Sequence, residues 1–543
     1  MDLRVTLPAP APLIPDLLRL HGRWRARKPA ASCGAETLSW AEFDRRTEQV
    51  ANGIASLGLG RGDFVGVVMT NGLDMLEALF GILKSGACAV PLNVTVADEA
   101  LESMLRDCGA RAVVASEAHR ARLDAMRPRL PAWLPLGGIV SGERSPAQAL
   151  APGWQPYRLW RDAQPAAPRH GSGPAAQDPC NLIYSSGTTA QPKGILHDHR
   201  RRLEWAYDVG LALRYQSNTV ALLSLGLYSN ISWVGMLCTF LAGGHVVVME
   251  RFDAAAWLAH VERWSATHTA MVPVQYQRLV EHAERARYDT SSMRSMMSCG
   301  SPLPPQLKQA LLAAFGCELV ELYGLTEGII TTLDPEDMSG RLASVGKPIP
   351  GTDLLILGED DRPVAAGEPG EIVGLSRFVM NGYLNRDEAT RAATWIDTQG
   401  RTWLRTGDIG RLDEEGYLYV VDRKKDLILS GGQNVYPADL EAVLCRHPAV
   451  REAAVIGIPH PQWGETPLAL VVPHAGAAHE AAPPDAASLR AWANARLGRQ
   501  QRLSALEFRD SLPRNANGKL LKRELRAPYW TGEAPARHHS GLP

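Results

Sequence analysis

"YSSGTTAQPKG" (residues 184–194) sets four small hydroxyl side chains, Ser185, Ser186, Thr188 and Thr189, and the glycines Gly187 and Gly194 around a single cation, Lys193. Backbone N–H groups, hydroxyls and an ammonium on one loop are what phosphate oxygens require. The spacing is not that of the common nucleoside-triphosphatase loop, because Lys193 follows Pro192 rather than Gly and precedes Gly194 rather than Ser or Thr. Composition alone favours a surface linker, so the reading depends on what surrounds the loop.

On both sides, helical-period stretches alternate with short β-branched runs such as "FVGVVM" (64–69), "ACAVPL" (87–92), "HVVVME" (245–250) and "CELVELYG" (317–324). That rhythm predicts α/β layers with helices covering a largely parallel sheet. After about residue 370 the pattern changes to short strands with turn signals, a β-rich region. Past Asp422 a compact α+β unit follows. With 543 residues the chain exceeds one core. The expected division is a large N-terminal domain of layered α/β subdomains plus a β-rich subdomain over 1–421, and a small mobile C-terminal α+β domain over 422–543.

The balance of 57 basic and 58 acidic residues leaves a net charge of -1, which argues against nucleic acid as a partner. The longest apolar stretch, residues 235–248, is too short to cross a bilayer and is broken by Gly243, Gly244 and His245. The first 20 residues lack the pattern of an export signal, so a cytoplasmic location is expected. Eight scattered cysteines read as reduced thiols. "HDH" (197–199) reads as two surface or loop histidines rather than a metal site, and "RRR" (200–202) and "RKK" (423–425) as exposed charged faces.

Further motifs follow in order: "YGLTEG" (323–328), "RTGDIG" (405–410), "VDRKKDLILSGGQNVYPADLE" (421–441) and "PRNANGKLLKREL" (513–525). Together with the loop they resemble the adenylate-forming superfamily of acyl-CoA synthetases, luciferases and peptide-synthetase adenylation domains, over nearly the whole chain. The resemblance implies an AMP-forming carboxylic acid:CoA ligase. ATP, Mg2+ and coenzyme A are the implied cofactors, and the partners are small molecules; the oligomeric state is left open, a homodimer included.

By the same resemblance Ser185, Ser186, Gly187, Thr188, Thr189 and Lys193 hold the departing phosphates. Gly300, Ser301, Tyr323, Gly324 and Thr326 border the nucleotide, with Tyr323 beside the adenine. Glu327 holds Mg2+, a hard ion that wants oxygen. Asp408 accepts from both ribose hydroxyls, as a two-pronged acceptor can, and Arg423 adds a donor. Lys519 reaches between the substrate carboxylate and the α-phosphate, offsetting their repulsion. Lys519, Glu327 and Thr188 are thus the catalytic candidates. Asp422 is the hinge about which the small domain turns, and Ser430, Gly431, Gly432 and Trp463 line the path for CoA.

Two positions depart from the family pattern. Ala190 stands where glycine is usual, at a cost of about 1 kcal/mol if positive φ is needed there. Tyr228 and Ser229 stand where many acyl-CoA synthetases carry an aromatic followed by histidine, and the aspartate that pairs an amino acid's ammonium is absent. The acyl pocket candidates Tyr228, Ser229, Trp233, Gly300, Gly324 and Leu325 are mostly apolar or small, which suggests an uncharged aromatic or medium-chain body. Acyl loading of a carrier-protein pantetheine and a non-catalytic nucleotide- or acyl-binding scaffold are the alternatives.

Overall fold

A computed structural model of the chain describes residues 11–130, 138–141, 153–169, 173–185, 192–431, 433–474, 485–515 and 518–530. They fall into two compact units, one of residues up to 353 with 375–404, the other of 354–374 with the chain from 405 on.

The first unit holds two sheets. A nine-stranded sheet runs in the order Lys347–Pro348, Ile330–Leu333, Glu318–Gly324, Ser295–Ser298, His268–Met271, Val220–Leu223, His245–Val248, Pro29–Cys33, Glu36–Ser39. Its central strands are parallel, and Ile330–Leu333 turns back antiparallel on Glu318–Gly324 with Gly324 opposite Ile330. An eight-stranded sheet runs Gly382–Tyr383, Gly194–Asp198, Pro179–Tyr184, Cys88–Pro91, Phe64–Val68, Ala112–Ser116, Gly138–Ser141, Trp154–Pro156. This is the α/β class that the alternating pattern predicts.

One core joins the two sheets. Ala30, Ala31 and Val246 of the first sheet and Val65, Val67 and Ala89 of the second belong to a single buried cluster with the helices Trp40–Ser56, Leu73–Ser85 and Asn230–Ala242. Its centre is aromatic: Phe240 lies 5.4 Å from Trp40, 5.1 Å from Phe43 and 4.9 Å from Phe80, tilted or edge-on, the arrangement that ring quadrupoles favour. Asn230–Ala242 is apolar all round because it is buried all round. It starts at the N-cap Ser229 and stops at Gly243, whose φ of 72° is left-handed.

Asp198 explains part of the "HDH" run. It caps the helix His199–Ala212 by accepting from the Arg201 N–H at 2.8 Å. The expectation of surface histidines and an exposed arginine run fails here: His197, His199 and Arg202 are 1%, 0% and 0% exposed. His197 is the penultimate residue of the strand Gly194–Asp198, next to the sheet edge, and His199 opens a helix lying against the core. Burial pushes His199 down to about 4 and His197 well below the ordinary imidazole range.

The second unit holds Thr352–Leu357, Gly370–Ser376 and Thr402–Leu412 in sheet order, with Leu418–Arg423 along Thr402–Leu412. A further sheet, Gln433–Val435, Ile428–Ser430, Gly464–Pro473, Val450–His460, also takes Ala505–Phe508 beside Gly464–Pro473. Along Val450–His460 alternate residues serve two cores: Val455 packs with Leu440, Leu444 and Leu489, whereas Ala454 and Ile456 pack with Leu468 and Leu470. No helix among the described residues is long and apolar enough to cross a membrane.

Lys308, on Pro305–Phe315, forms an ion pair with Glu321, and both side chains are nearly fully buried. Glu321 also accepts from the Leu303 N–H at 2.9 Å, so it anchors that helix and its lead-in to the strand carrying Tyr323. Lys308→Met should therefore lower the first thermal transition sharply, by about 3–5 kcal/mol for a stranded buried carboxylate. Adding Glu321→Leu should recover most of the loss, as read by differential scanning calorimetry.

Candidate active site

The hydroxyl-rich loop is closed at its base by the ladder of Pro179–Tyr184 with Gly194–Asp198, where Tyr184 faces Gly194. The Ser185 N–H donates to the Lys193 carbonyl at 3.0 Å, and the Lys193 N–H to Ser185 Oγ at 3.4 Å. Tyr184 is tied down separately, its hydroxyl donating to Asp107 Oδ2 at 2.8 Å. Ser186, Gly187, Thr188, Thr189 and Ala190 lie outside the described residues.

Residues 323–328 form the turn between Glu318–Gly324 and Ile330–Leu333. The Leu325 N–H donates to the Ile329 carbonyl and the Gly328 N–H to the Leu325 carbonyl, both at 3.0 Å. Gly328 has a φ of 113°, and a Cβ there would sit 2.7 Å from the Phe378 carbonyl oxygen. Only glycine fits. The turn thereby presents Tyr323, Gly324, Leu325, Thr326 and Glu327 half-exposed. Burial and the nearby arginine charges lower the His197 imidazole, and the Thr326 backbone acts in the opposite direction.

Tyr383 was not among the sequence candidates, yet it joins two of them. Its hydroxyl donates to Glu327 Oε1 at 2.9 Å, and the Lys193 ammonium stands 4.7 Å from the centre of its ring. Strand pairing fixes it there: Gly382–Tyr383 lies along Gly194–Asp198 with Tyr383 opposite Ile195. The Met380 N–H also donates to the Glu327 carbonyl at 2.8 Å. Burial, then the Glu327 charge, hold the phenol above its usual range, so it stays a donor. The cue was a "GY" pair with no chemistry of its own.

Gly300, with a φ of 94°, leaves room for the first turn of Asn230–Ala242: a Cβ on it would stand 3.0 Å from Ile231 Cδ1. Ser301 follows it, half-buried. Four of the acyl candidates, Tyr228, Ser229, Trp233 and Gly300, thus meet around one helix start. Ser229 is buried and its Oγ accepts from the Ile231 N–H at 3.4 Å. Tyr228 is half-buried, its phenol raised by burial against a hydrogen bond with Thr95. Trp233 is fully enclosed, with Nε1 donating to the Leu227 carbonyl at 3.1 Å and its ring 6.5 Å from Phe80.

In the second unit, Asp408 and Arg423 are opposite each other on paired strands, with Arg423 Nε 3.2 Å from Asp408 Oδ1. Asp408 is 4% exposed. Lys519 is on the turn 515–519, where its N–H donates to Asn515 Oδ1 at 2.9 Å. Burial, then Arg423, lower its ammonium to about 8 against the pull of Asp408. Asp422 is held by two backbone donors, Arg423 N–H at 2.7 Å and Ala438 N–H at 2.9 Å, and burial raises its carboxyl.

Ser430 pairs with Gly464, and the Gly431 N–H donates to the Trp463 carbonyl at 2.8 Å. A Cβ on Gly431 would press 2.9 Å from the Trp463 ring, which is 48% exposed. Gly432 lies outside the described residues.

Comparison with known proteins decides what this arrangement belongs to. The family described as AMP-binding enzyme matches residues 20–384, and its C-terminal domain matches residues 439–519. The chain belongs to the AMP-binding enzyme family. A feruloyl-CoA synthase of Amycolatopsis sp is 34% identical over 520 residues, covering 94% of this chain and 99% of its own. A 2-succinylbenzoate–CoA ligase of Geobacillus kaustophilus is 34% identical over 531 residues, covering 94% and 97%. Among solved structures, an anthranilate CoA ligase in complex with anthranoyl-AMP matches with a TM-score of 0.86 at 27% identity, over 97% of this chain and 99% of that one. This AMP-binding enzyme is an acid–thiol ligase that works through an acyl adenylate.

Tyr383→Phe keeps the ring beside Lys193 and removes the hydrogen bond to Glu327. It should lower kcat/KM for ATP about tenfold, the scale of one hydrogen bond to a charged group. Tyr383→Leu, which also removes the ring, should lose more. Pyrophosphate release and calorimetric titration with Mg-ATP measure both.

Proposed function

We propose that the chain joins an aromatic carboxylic acid to CoA, and that the residues gathered above act in the roles their motifs imply. In the first step a carboxylate oxygen attacks the α-phosphorus of ATP, the bond to the bridging oxygen breaks, and pyrophosphate departs. In the second the CoA thiol attacks the acyl carbon, the thioester forms, and AMP departs with the mixed-anhydride oxygen.

The observation that carries this reading is Lys519 in one unit with Asp408 and Arg423. A lysine with an ammonium lowered to about 8 by burial beside the ribose-binding acid is placed for an electrostatic role. Lys193, the described part of its loop and Glu327 serve the phosphates. Asp408 and Arg423 hold the ribose, Gly300, Ser301, Tyr323, Gly324 and Thr326 border the base and α-phosphate, and Ser430, Gly431 and Trp463 take pantetheine. Asp422 is the hinge of a domain beginning at 422. The aromatic class is supported by the names of three relatives, which specify feruloyl, 2-succinylbenzoate and anthranilate acids, while a further relative at 32% identity is named for long-chain fatty acids.

Glu327 also suits Mg2+. It offers one carboxylate, and no cluster of three or more His, Cys, Asp or Glu side chains suited to a metal occurs among the described residues. Mg2+ commonly takes one or two protein carboxylates and completes its shell with phosphates and water. When bound it would offset charge on the leaving pyrophosphate.

Acid-dependent exchange of labelled pyrophosphate into ATP tests the first step. Lys519→Ala should abolish most exchange while sparing thiolysis of a supplied acyl adenylate. In the wild type, kcat/KM for ATP should fall as pH rises through about 8, because the ammonium is lost there. Lys519→Arg should remove that limb. AMP release with a carrier protein but not with CoA would replace the acceptor, and exchange with no acid at all would sink the ligase reading.

A further inference from the structure

Among the described residues of the first unit, four Lys or Arg side chains are almost fully buried: Lys84, Arg161, Arg202 and Lys308. Three of them follow the usual rule that a buried charge is paired. Lys84 meets Asp44, Arg161 meets Glu77 at 2.6 Å, and Lys308 meets Glu321. Arg202 does not. Its Nε donates to Asn181 Oδ1 at 2.9 Å, while Nη1 and Nη2 have no hydrogen-bond partner and no carboxylate pairs with it among the described residues. Burial lowers it to about 10.

Its surroundings tie it to the candidate acyl pocket. The guanidinium carbon is 4.9 Å from the centre of the Trp205 ring and 5.7 Å from that of Trp233, one helical turn past the N-cap Ser229. On the other side stands Asn181, whose Nδ2 is also unpartnered and whose strand neighbour is His197. The Arg202 charge lowers the His197 imidazole while the backbone of Thr326, in the turn 323–328, raises it. The free donors therefore lie in the shell of side chains between the start of Asn230–Ala242 and that turn.

Two ring faces temper the charge but satisfy no N–H. A structural role is poorly served by an arginine whose fork is unused, since an apolar side chain would fill the same volume without the desolvation cost. A group arriving with its own acceptor oxygens would use that fork in full.

We propose that Arg202 is a specificity residue for the acid, receiving an oxygen substituent, anionic or strongly accepting, at the end remote from the reacting carboxylate. The proposal rests on the ligase reading above and changes the expected substrate from a wholly uncharged body to one with a polar far end. Two sources share that chemistry, a phenolic hydroxyl and a second carboxylate.

The test uses the full-length enzyme and acid-dependent pyrophosphate exchange. Benzoates and cinnamates bearing a hydroxyl or a carboxylate at ring position 2, 3 or 4 are each compared with the unsubstituted acid. In the wild type the best substituted acid should exceed its parent by about 10,000-fold in kcat/KM, because a site built for a polar group rejects the analogue that lacks it. Hydroxyl and carboxylate arms tell the two sources apart. In Arg202→Met the ratio should fall to near one, with activity toward the parent acid retained or raised, and Arg202→Lys should keep part of the preference.

Thermal melting separates function from structure. Arg202→Met should melt at or above the wild-type temperature, since an uncompensated charge leaves the interior. An unchanged preference in Arg202→Met, or a marked drop in its melting temperature with the preference intact, overturns the role of Arg202 while leaving the ligase standing. Exchange with none of these or any other acid in the wild type overturns the ligase reading and this inference together.

Discussion

A carboxylate and a polyphosphate repel each other, and water screens that repulsion only while it surrounds both. Excluding water from the reacting groups, as an adenylate-forming enzyme must, leaves the repulsion for fixed cations to offset. Much of the chemistry-bearing sequence can be understood as the placement of those cations. Lys193 stands at the base of the hydroxyl loop against Tyr383, and Lys519 is kept near Asp408 and Arg423. Each has a neighbour that limits where its charge can go. The Tyr383 ring attracts Lys193 without neutralising it, whereas Glu327, which would cancel the charge, is engaged by the hydroxyl of the same tyrosine.

The α/β class was legible because its determinants are local. β-Branched runs between helical-period stretches fix which segments pair, and positive-φ glycines such as Gly300 and Gly328 fix where the turns fall. Glu327, Asp408 and Lys519 could be picked out because the resemblance places them within short motifs that do not depend on the fold. Tyr383 could not. It lies 56 residues from Glu327, and its importance comes from strand register, which places it opposite Ile195.

The "HDHRRR" run was misread for a related reason. Three adjacent arginines look like a solvated face, but on a helix they point in three directions about 100° apart. Arg200 pairs with Glu204 and Arg201 with Asp198, both toward the outside, whereas Arg202 is turned to the interior between two tryptophans. Charge counts along a sequence cannot distinguish the third residue from the first two. Only the helix phase, set by the Asp198 cap and the core beneath, does so.

Asp422 raises the question of how one chain could serve two successive reactions. Its carboxylate accepts from the N–H of its own neighbour Arg423 and from Ala438, in the first turn of Pro437–Leu444, so it staples the end of Leu418–Arg423 to a helix start. The positive end of the helix dipole and the nearby Lys522, itself paired with Glu441, favour the ionised form, while burial opposes it. A carboxylate poised between those influences has its acceptors committed to backbone on both sides, in the strand and in the helix. Losing those two N–H donors would be costly for a carboxylate partly shielded from water, so they hold the strand end and the helix start together. Any rotation about 422 that served alternation between adenylation and thiolysis would need both of those bonds replaced before a second arrangement could be stable.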